Sequence, residues 1–334
     1  MTALKYIALA LASLVATGCA AWSLGALYFD LPWAALRGAA SAVLALAFVC
    51  ALIFLRESWR KLGAIFLGFA VVLAWWLTLK PGNNRPWQPD VAQTAWAEIA
   101  DDTVTLHNVR NCDYRTEADY IPRWDTRTVR LSQITGIDLA INYWGSPWMA
   151  HPIASFQFAD APPVCFSIET RKETGESYSA IGGFYRQYEL IYIVADERDA
   201  IRVRTNFRKG EDVYLYRLNI TPAQARGRFT DYLTALNELH DRPRWYNAAT
   251  TNCTTSIRTQ HAAAKRAPWD WRILVNGKGD EMMFEHGALH TSSLAFPELK
   301  ARSLINGRAR DASEAPDFST RIRAGMAPFE PARQ

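Results

Sequence analysis

Thr250-Thr251-Asn252-Cys253-Thr254-Thr255-Ser256-Ile257-Arg258 is a polar turn that runs into a helix, with one cysteine at the junction. Thr251 or Asn252 can cap that helix, since either side chain accepts a hydrogen bond from the free amides of a first turn. Cys253 then falls in the first turn, where unpaired N–H groups and the positive end of the helix dipole favour a thiolate. A thiolate at a helix start suits nucleophilic acyl chemistry. The competing reading is a small, inert, buried apolar side chain. The helix is expected to run to Arg266, ahead of Pro268.

Upstream of this turn the chain alternates strand and helix patterns. Thr221-Pro222 opens a helix to about His240, with Phe229, Tyr232, Leu233, Leu236 and Leu239 on one face. Strands are expected at 190–195 and 213–218, with Asp196-Glu197-Arg198-Asp199 as a turn. Residues 155–158 and 164–170 read as two strands joined by a hairpin over 159–163. His151 sits just ahead of the first. The second alternates Ser167 and Glu169 on one face against Phe166 and Ile168 on the other. Residues 103–110 read as a half-buried strand, and 91–99 as a turn or strand. Residues 303–316 are small and polar and read as an extended arm. There is no internal repeat. The mixture implies an α+β domain.

Ahead of this domain the composition changes. Apolar runs at about 6–28, 36–55 and 62–79 each approach the roughly 20 residues that cross a bilayer. Trp22, Tyr28, Trp33, Trp59, Trp75 and Trp76 lie mostly near the run ends, as interfacial aromatics do. The first run competes with a cleaved signal, and Ala16-Thr17-Gly18-Cys19 has a faint lipoprotein-signal look. A retained helix is preferred because the apolar run continues to Tyr28. Arg56, Arg60 and Lys61 put the second loop inside the cell, so three crossings leave the amino terminus cytoplasmic and residues 81–334 outside. The expected layout is a transmembrane region over 1–80, a linker and lead-in over 81–103, and a domain over 104–334.

Charge supports this division. Up to residue 80 the bases are Lys5, Arg37, Arg56, Arg60, Lys61 and Lys80, and the acids are Asp30 and Glu57, which accounts for the whole net charge of +4. The remainder is formally neutral, which argues against nucleic acid as its partner.

Of the five cysteines, Cys19 and Cys50 fall in apolar runs, while Cys112, Cys165 and Cys253 fall in the domain. In an oxidising compartment a Cys112–Cys165 bridge would leave Cys253 free. No closely spaced Cys/His pair in the domain has a second pair to match it as a zinc site would need, and no cofactor or metal is expected. A thiol nucleophile needs a base. His261 lies eight residues along the same helix, about 12 Å from Cys253 and too far to take its proton. His240 suits a helix end. The residues alone put His151 only slightly ahead of His107.

Taken in order, His151-Pro152-Ile153-Ala154-Ser155-Phe156, Ser167-Ile168-Glu169-Thr170-Arg171-Lys172-Glu173, Asp196-Glu197-Arg198-Asp199, Trp245-Tyr246-Asn247 and Asn252-Cys253-Thr254-Thr255 resemble the Lnb N-terminal periplasmic domain family over roughly 104–320. More distantly the order is similar to permuted papain-like proteins, including lecithin:retinol acyltransferase-like thiol enzymes. The resemblance implies a bacterial inner-membrane protein with a permuted papain-like periplasmic domain. It implies cysteine-dependent acyl transfer to or from a lipid or lipoprotein, with Cys253 as nucleophile and His151 as base. Glu169 or Ser167 would orient the imidazole, Glu169 being preferred against an alternative ion pair with Arg171. Asn252 and the Cys253 amide would serve as oxyanion donors, and Arg198 and Arg202 as anion binders. The alternatives are a periplasmic peptidase, amidase or esterase using the same residues, and a non-catalytic module that binds an envelope ligand.

Overall fold

The computed structural model describes residues 2–260, 269–273 and 276–329, and they form two compact units. His261 and the expected helix end near Arg266 lie outside the described residues.

The first unit contains residues 1–82, 177–189 and 245–248. Its helices are α1 (Thr2–Asp30), α2 (Ala34–Phe54) and α3 (Ser58–Thr78). All three are long and apolar enough to cross a bilayer, with mean hydropathies of 1.9, 2.1 and 1.8. They match the three apolar runs, and α3 starts earlier because Ser58-Trp59-Arg60-Lys61 is helical too. Ala16, Phe48 and Ile65 pack together, one from each helix. Gly68 makes this approach possible: a Cβ there would stand 2.6 Å from the Phe48 ring.

The second unit is an α/β domain built on one mixed sheet. Its strands are β1 (Trp96–Ala100), β2 (Thr103–Arg110), β3 (Asp113–Tyr114), β4 (Tyr120–Ile121), β5 (Trp124–Arg130), β6 (Ile134–Trp144), β7 (Ala150–Phe158), β8 (Val164–Arg171), β9 (Glu189–Ala195) and β10 (Glu211–Arg217). The large sheet runs β1-β2-β9-β8-β7-β6-β10, with β5 also paired to β2, and β3-β4 form a separate ribbon. Strand β6, next to the edge strand β10, was not foreseen. Its run Ile137-Asp138-Leu139-Ala140-Ile141 is buried on both faces, so it lacks the polar alternation of a half-buried strand. Asp138 is tolerated there because Arg217 and Arg323 both pair with it.

One sheet face carries α5 (Pro222–Asp241), which opens with a capping box between Thr221 and Gln224. The apolar stripe expected on α5 is buried, and Phe229 and Tyr232 meet Phe156 and Phe166 edge to face within 5.7 Å. The other face packs against α4 (Glu197–Ala200), α9 (Asn306–Asp311) and α10 (Phe318–Arg321), and α6 (Cys253–Thr259), α7 (Gly279–Glu285) and α8 (Phe296–Ser303) lie between α5 and α9 in the chain. Residues 303–316 are therefore not an extended arm. Ile305, Ala309 and Ala312 are fully buried against the sheet, and the helical turns satisfy the backbone that this burial removes from water. Likewise the expected 196–199 turn is the capped start of α4, where Asp196 accepts from Arg198 N.

Candidate functional site

His151 is the second residue of β7, not a residue ahead of it, because β7 extends back to Ala150 through its pairing with β6. In the β7–β8 register Ile153 lies opposite Ser167, and the same register two residues further sets His151 across from Glu169. Strand periodicity puts His151, Ser167 and Glu169 on one face, alternating with Phe166 and Ile168 on the α5 side. Ser167, expected to be exposed, is buried, since α4 and the turn after it cover this face.

The three side chains form a chain of hydrogen bonds. Ser167 donates to Glu169 Oε1 at 2.6 Å, and His151 Nε2 stands 2.7 Å from Ser167 Oγ. The serine's one proton is used on the carboxylate, so its oxygen accepts from His151 Nε2–H. That fixes the tautomer and leaves Nδ1 as the basic nitrogen. Glu169 Oε1 itself lies 3.7 Å from His151 Nε2, so the carboxylate acts on the imidazole chiefly through Ser167.

Arg204, from the wide turn Val203–Phe207 after α4, donates to Glu169 Oε1 at 2.7 Å. Burial would raise the Glu169 pKa, but Arg204, with His151 and Arg110, holds it well below the usual carboxylate range. The alternative partner Arg171 is used elsewhere: it donates to Val91 O, Ala92 O and Asn83, and lies over the Trp87 ring. Burial lowers the His151 pKa to about 4, against the opposing pull of Glu169.

Cys253 is the first residue of α6, and Asn252 is its cap. Asn252 Oδ1 accepts from Thr255 N, and Thr255 Oγ1 accepts from Asn252 N. Helix α6 packs against β7 and β8, the two strands that carry His151, Ser167 and Glu169. Its far end lies on the α5 side, where Gln260 donates to the Tyr192 hydroxyl at 2.8 Å. Cys253 is only 6% exposed. Burial raises its pKa, outweighing the lowering by Thr254, the first-turn amides and Asn276. The helix start therefore does not by itself produce a resting thiolate.

Asn276 donates to Cys253 Sγ at 3.2 Å and accepts from Thr254. The structure thus brings His151, Ser167 and Glu169 together, and Cys253 together with Asn252. Among the described residues no hydrogen bond joins Cys253 Sγ to His151. Arg198 and Arg202 are engaged with the carboxy-terminal segment: Arg202 donates to Ser313 O and pairs with Glu314, and Arg198 Nη2 lies 3.9 Å from the same carboxylate. The reading of the sequence missed the partnership of Arg204 with Glu169, and missed Asn276. Neither has a local signal, since 35 residues separate Arg204 from Glu169 and 23 separate Asn276 from Cys253.

All five cysteines are free, so the considered Cys112–Cys165 bridge is not formed. Cys112 packs with Tyr114 and Val203, and Cys165 lies in the sheet core.

No curated protein and no solved structure matches the chain. Residues 120–277 match the family model of the Lnb N-terminal periplasmic domain, a span that contains His151, Ser167, Glu169, Arg204, Cys253 and Asn276, so the protein is a membrane-anchored chain carrying the periplasmic domain of that family.

Proposed function

We propose that the domain is a permuted papain-like thiol acyltransferase that acts on a lipid or lipoprotein in the bacterial envelope. The observation that carries this reading is the His151–Ser167–Glu169–Arg204 chain, which fixes the imidazole with Nδ1 as its free base, on strands against which the Cys253 helix packs. Glu169 Oε1 is paired with both Ser167 and Arg204. Its value in this reading is to orient and hold the histidine.

In the proposed chemistry the pair rests neutral. On substrate binding His151 Nδ1 takes the thiol proton as the sulfur attacks the acyl carbon, and then gives it to the leaving group. In this reading the sulfur–imidazole hydrogen bond forms only in the occupied site. The Cys253 amide and the Asn276 side-chain amide, which already donates to the sulfur, are the oxyanion donors in this reading. The acceptor then takes the acyl group from the Cys253 thioester. If water is the acceptor, the same residues make a hydrolase.

The orientation proposed from the loop charges has residues 81–334 in the periplasm and the amino terminus in the cytoplasm. The bond between Asp30, at the end of α1, and Trp76, near the end of α3, supports the three-crossing layout, because two crossings, α2 and α3, separate these ends and return the chain to one side, and the loop charges choose which side that is.

The burial of Cys253 and its raised pKa favour a second reading, a non-catalytic module for an envelope ligand. One experiment separates the two. The full-length protein is incubated with phospholipid vesicles and a diacylated lipoprotein, then analysed by intact mass. A hydroxylamine-labile acyl adduct on Cys253, absent in Cys253→Ala and His151→Ala, is the expected result. An unmodified cysteine with every donor, together with bound ligand, would establish the module.

A further inference from the structure

We infer that the Ser177–Glu189 segment is a bilayer-contacting loop whose Tyr178, Ile181 and Phe184 side chains insert among phospholipids of the leaflet where α1 and α3 end. The inference rests on the membrane-spanning reading of the three helices and not on the thiol chemistry.

The depth of this loop is fixed by its own contacts inside the first unit. Arg186 N donates to Asp30 Oδ1 at 3.0 Å, and Asp30 is the last residue of α1. The Arg186 guanidinium donates to Leu79 O at 2.9 Å and to Trp76 O, at the carboxyl end of α3, and lies 3.7 Å above the Trp76 ring. Trp76 Nε1 donates to Asp30 Oδ2 at 2.6 Å. Tyr185 stacks on Phe29 with ring centroids 5.2 Å apart. These groups mark the water–hydrocarbon boundary: the last carbonyls of α3, a carboxylate at the end of α1, a guanidinium and a tryptophan. This is where such residues concentrate.

At that depth the loop is ordered and its apolar side chains face outward. Ser179 O accepts from Gly183 N, Ile181 O accepts from Phe184 N, and the Tyr188 hydroxyl bridges Ser179 N and Ser177 O. Yet Tyr178, Ile181 and Phe184 are 49, 64 and 54% exposed. Three large apolar side chains on a backbone held this firmly would be costly in water. At the ends of three spanning helices the surrounding medium is lipid, which selects phospholipid as the occupant.

The loop also ties into the chain on both sides of the proposed chemistry. It follows β8, which carries Ser167 and Glu169. Gly183 O and Tyr188 O accept from Ala248 N and Tyr246 N, and only residues 249–252 lie between Ala248 and Cys253.

The test is photocrosslinking of the full chain in phospholipid nanodiscs. A benzophenone amino acid replaces Ile181 or Phe184, with Ile121, an exposed residue of the second unit, as the control position. The expected result is a phospholipid adduct at 181 and 184 at least tenfold above that at 121, unchanged when Cys253→Ala is added. Lipid adducts no higher than at 121, or adducts mainly to a second copy of the chain, would overturn the inference. Persistence of the adducts in a protein that forms no acyl-thioester would sink the thiol reading alone.

Discussion

Ser167 Oγ lies 2.7 Å from His151 Nε2, and the same hydroxyl is donated to Glu169. A serine with one proton can donate only once, so the histidine must be the donor in its contact with the serine. The imidazole is thereby held in a single tautomer by a neutral relay, with the carboxylate one atom removed.

Ser167→Ala is expected to leave the sheet intact and to lower acyl transfer about 10- to 100-fold, the effect of some 1.4–3 kcal/mol of lost orientation and of polar groups left unpaired. Steady-state kinetics would show the loss in kcat. Ser167→Thr, which keeps a hydroxyl, should recover part of it. An unchanged kcat in Ser167→Ala would mean that the relay does not position the base.

Arg204→Met leaves Glu169 without its closest cation in a buried site. Breaking a buried pair from one side costs about 3–5 kcal/mol, and the expected outcome is a loss of that order in denaturant unfolding of the full chain. The double variant Arg204→Met, Glu169→Gln should be more stable than Arg204→Met alone. Additive losses would show that the two residues are not coupled.

The acid side of the stability profile follows from two shifts of the same sign. Burial lowers the His151 pKa from 6.5 to about 4, so the unfolded chain binds this proton first as pH falls. The resulting stabilisation, on the order of 3 kcal/mol, is complete above pH 6.5 and is lost as pH falls through about 4. Glu169, buried but held low by Arg204, His151 and Arg110, adds a loss that begins near its ordinary 4.5 and continues below it. Unfolding midpoints measured from pH 7 to 4 should therefore fall steeply, and His151→Gln should flatten the slope between pH 6.5 and 4. An unchanged slope in that variant would place the titration elsewhere.

Burial and the Asn276 contact act on the thiol in opposite directions. Iodoacetamide should label Cys253 slowly at pH 7 in the resting protein, with the rate still climbing at pH 9. Asn276→Ala removes a donor to the sulfur and should slow labelling at pH 9 about three- to tenfold, a change worth roughly 1 kcal/mol. Fast labelling of the wild type at neutral pH would show that the helix start prevails over burial.

Much of this arrangement was legible locally. The polar turn placed the start of α6 at Thr251 or Asn252, because an N-cap is satisfied by residues two or three apart in the chain, and the structure selects Asn252. The α5 stripe and the alternation along β8 followed from helix and strand periods, and the three long helices from the length of apolar runs. Tertiary structure alone decided what these elements meet. Asp138, Glu197 and Arg323 lie far apart in the chain and give no local signal, yet they form a buried network. Arg204 reaches Glu169 and Asn276 reaches Cys253 only after the sheet has closed. The state of the thiol was decided there too. A sequence can show a helix start that favours a thiolate, but the desolvation that opposes it depends on how many distant side chains pack over the sulfur, which only the folded chain determines.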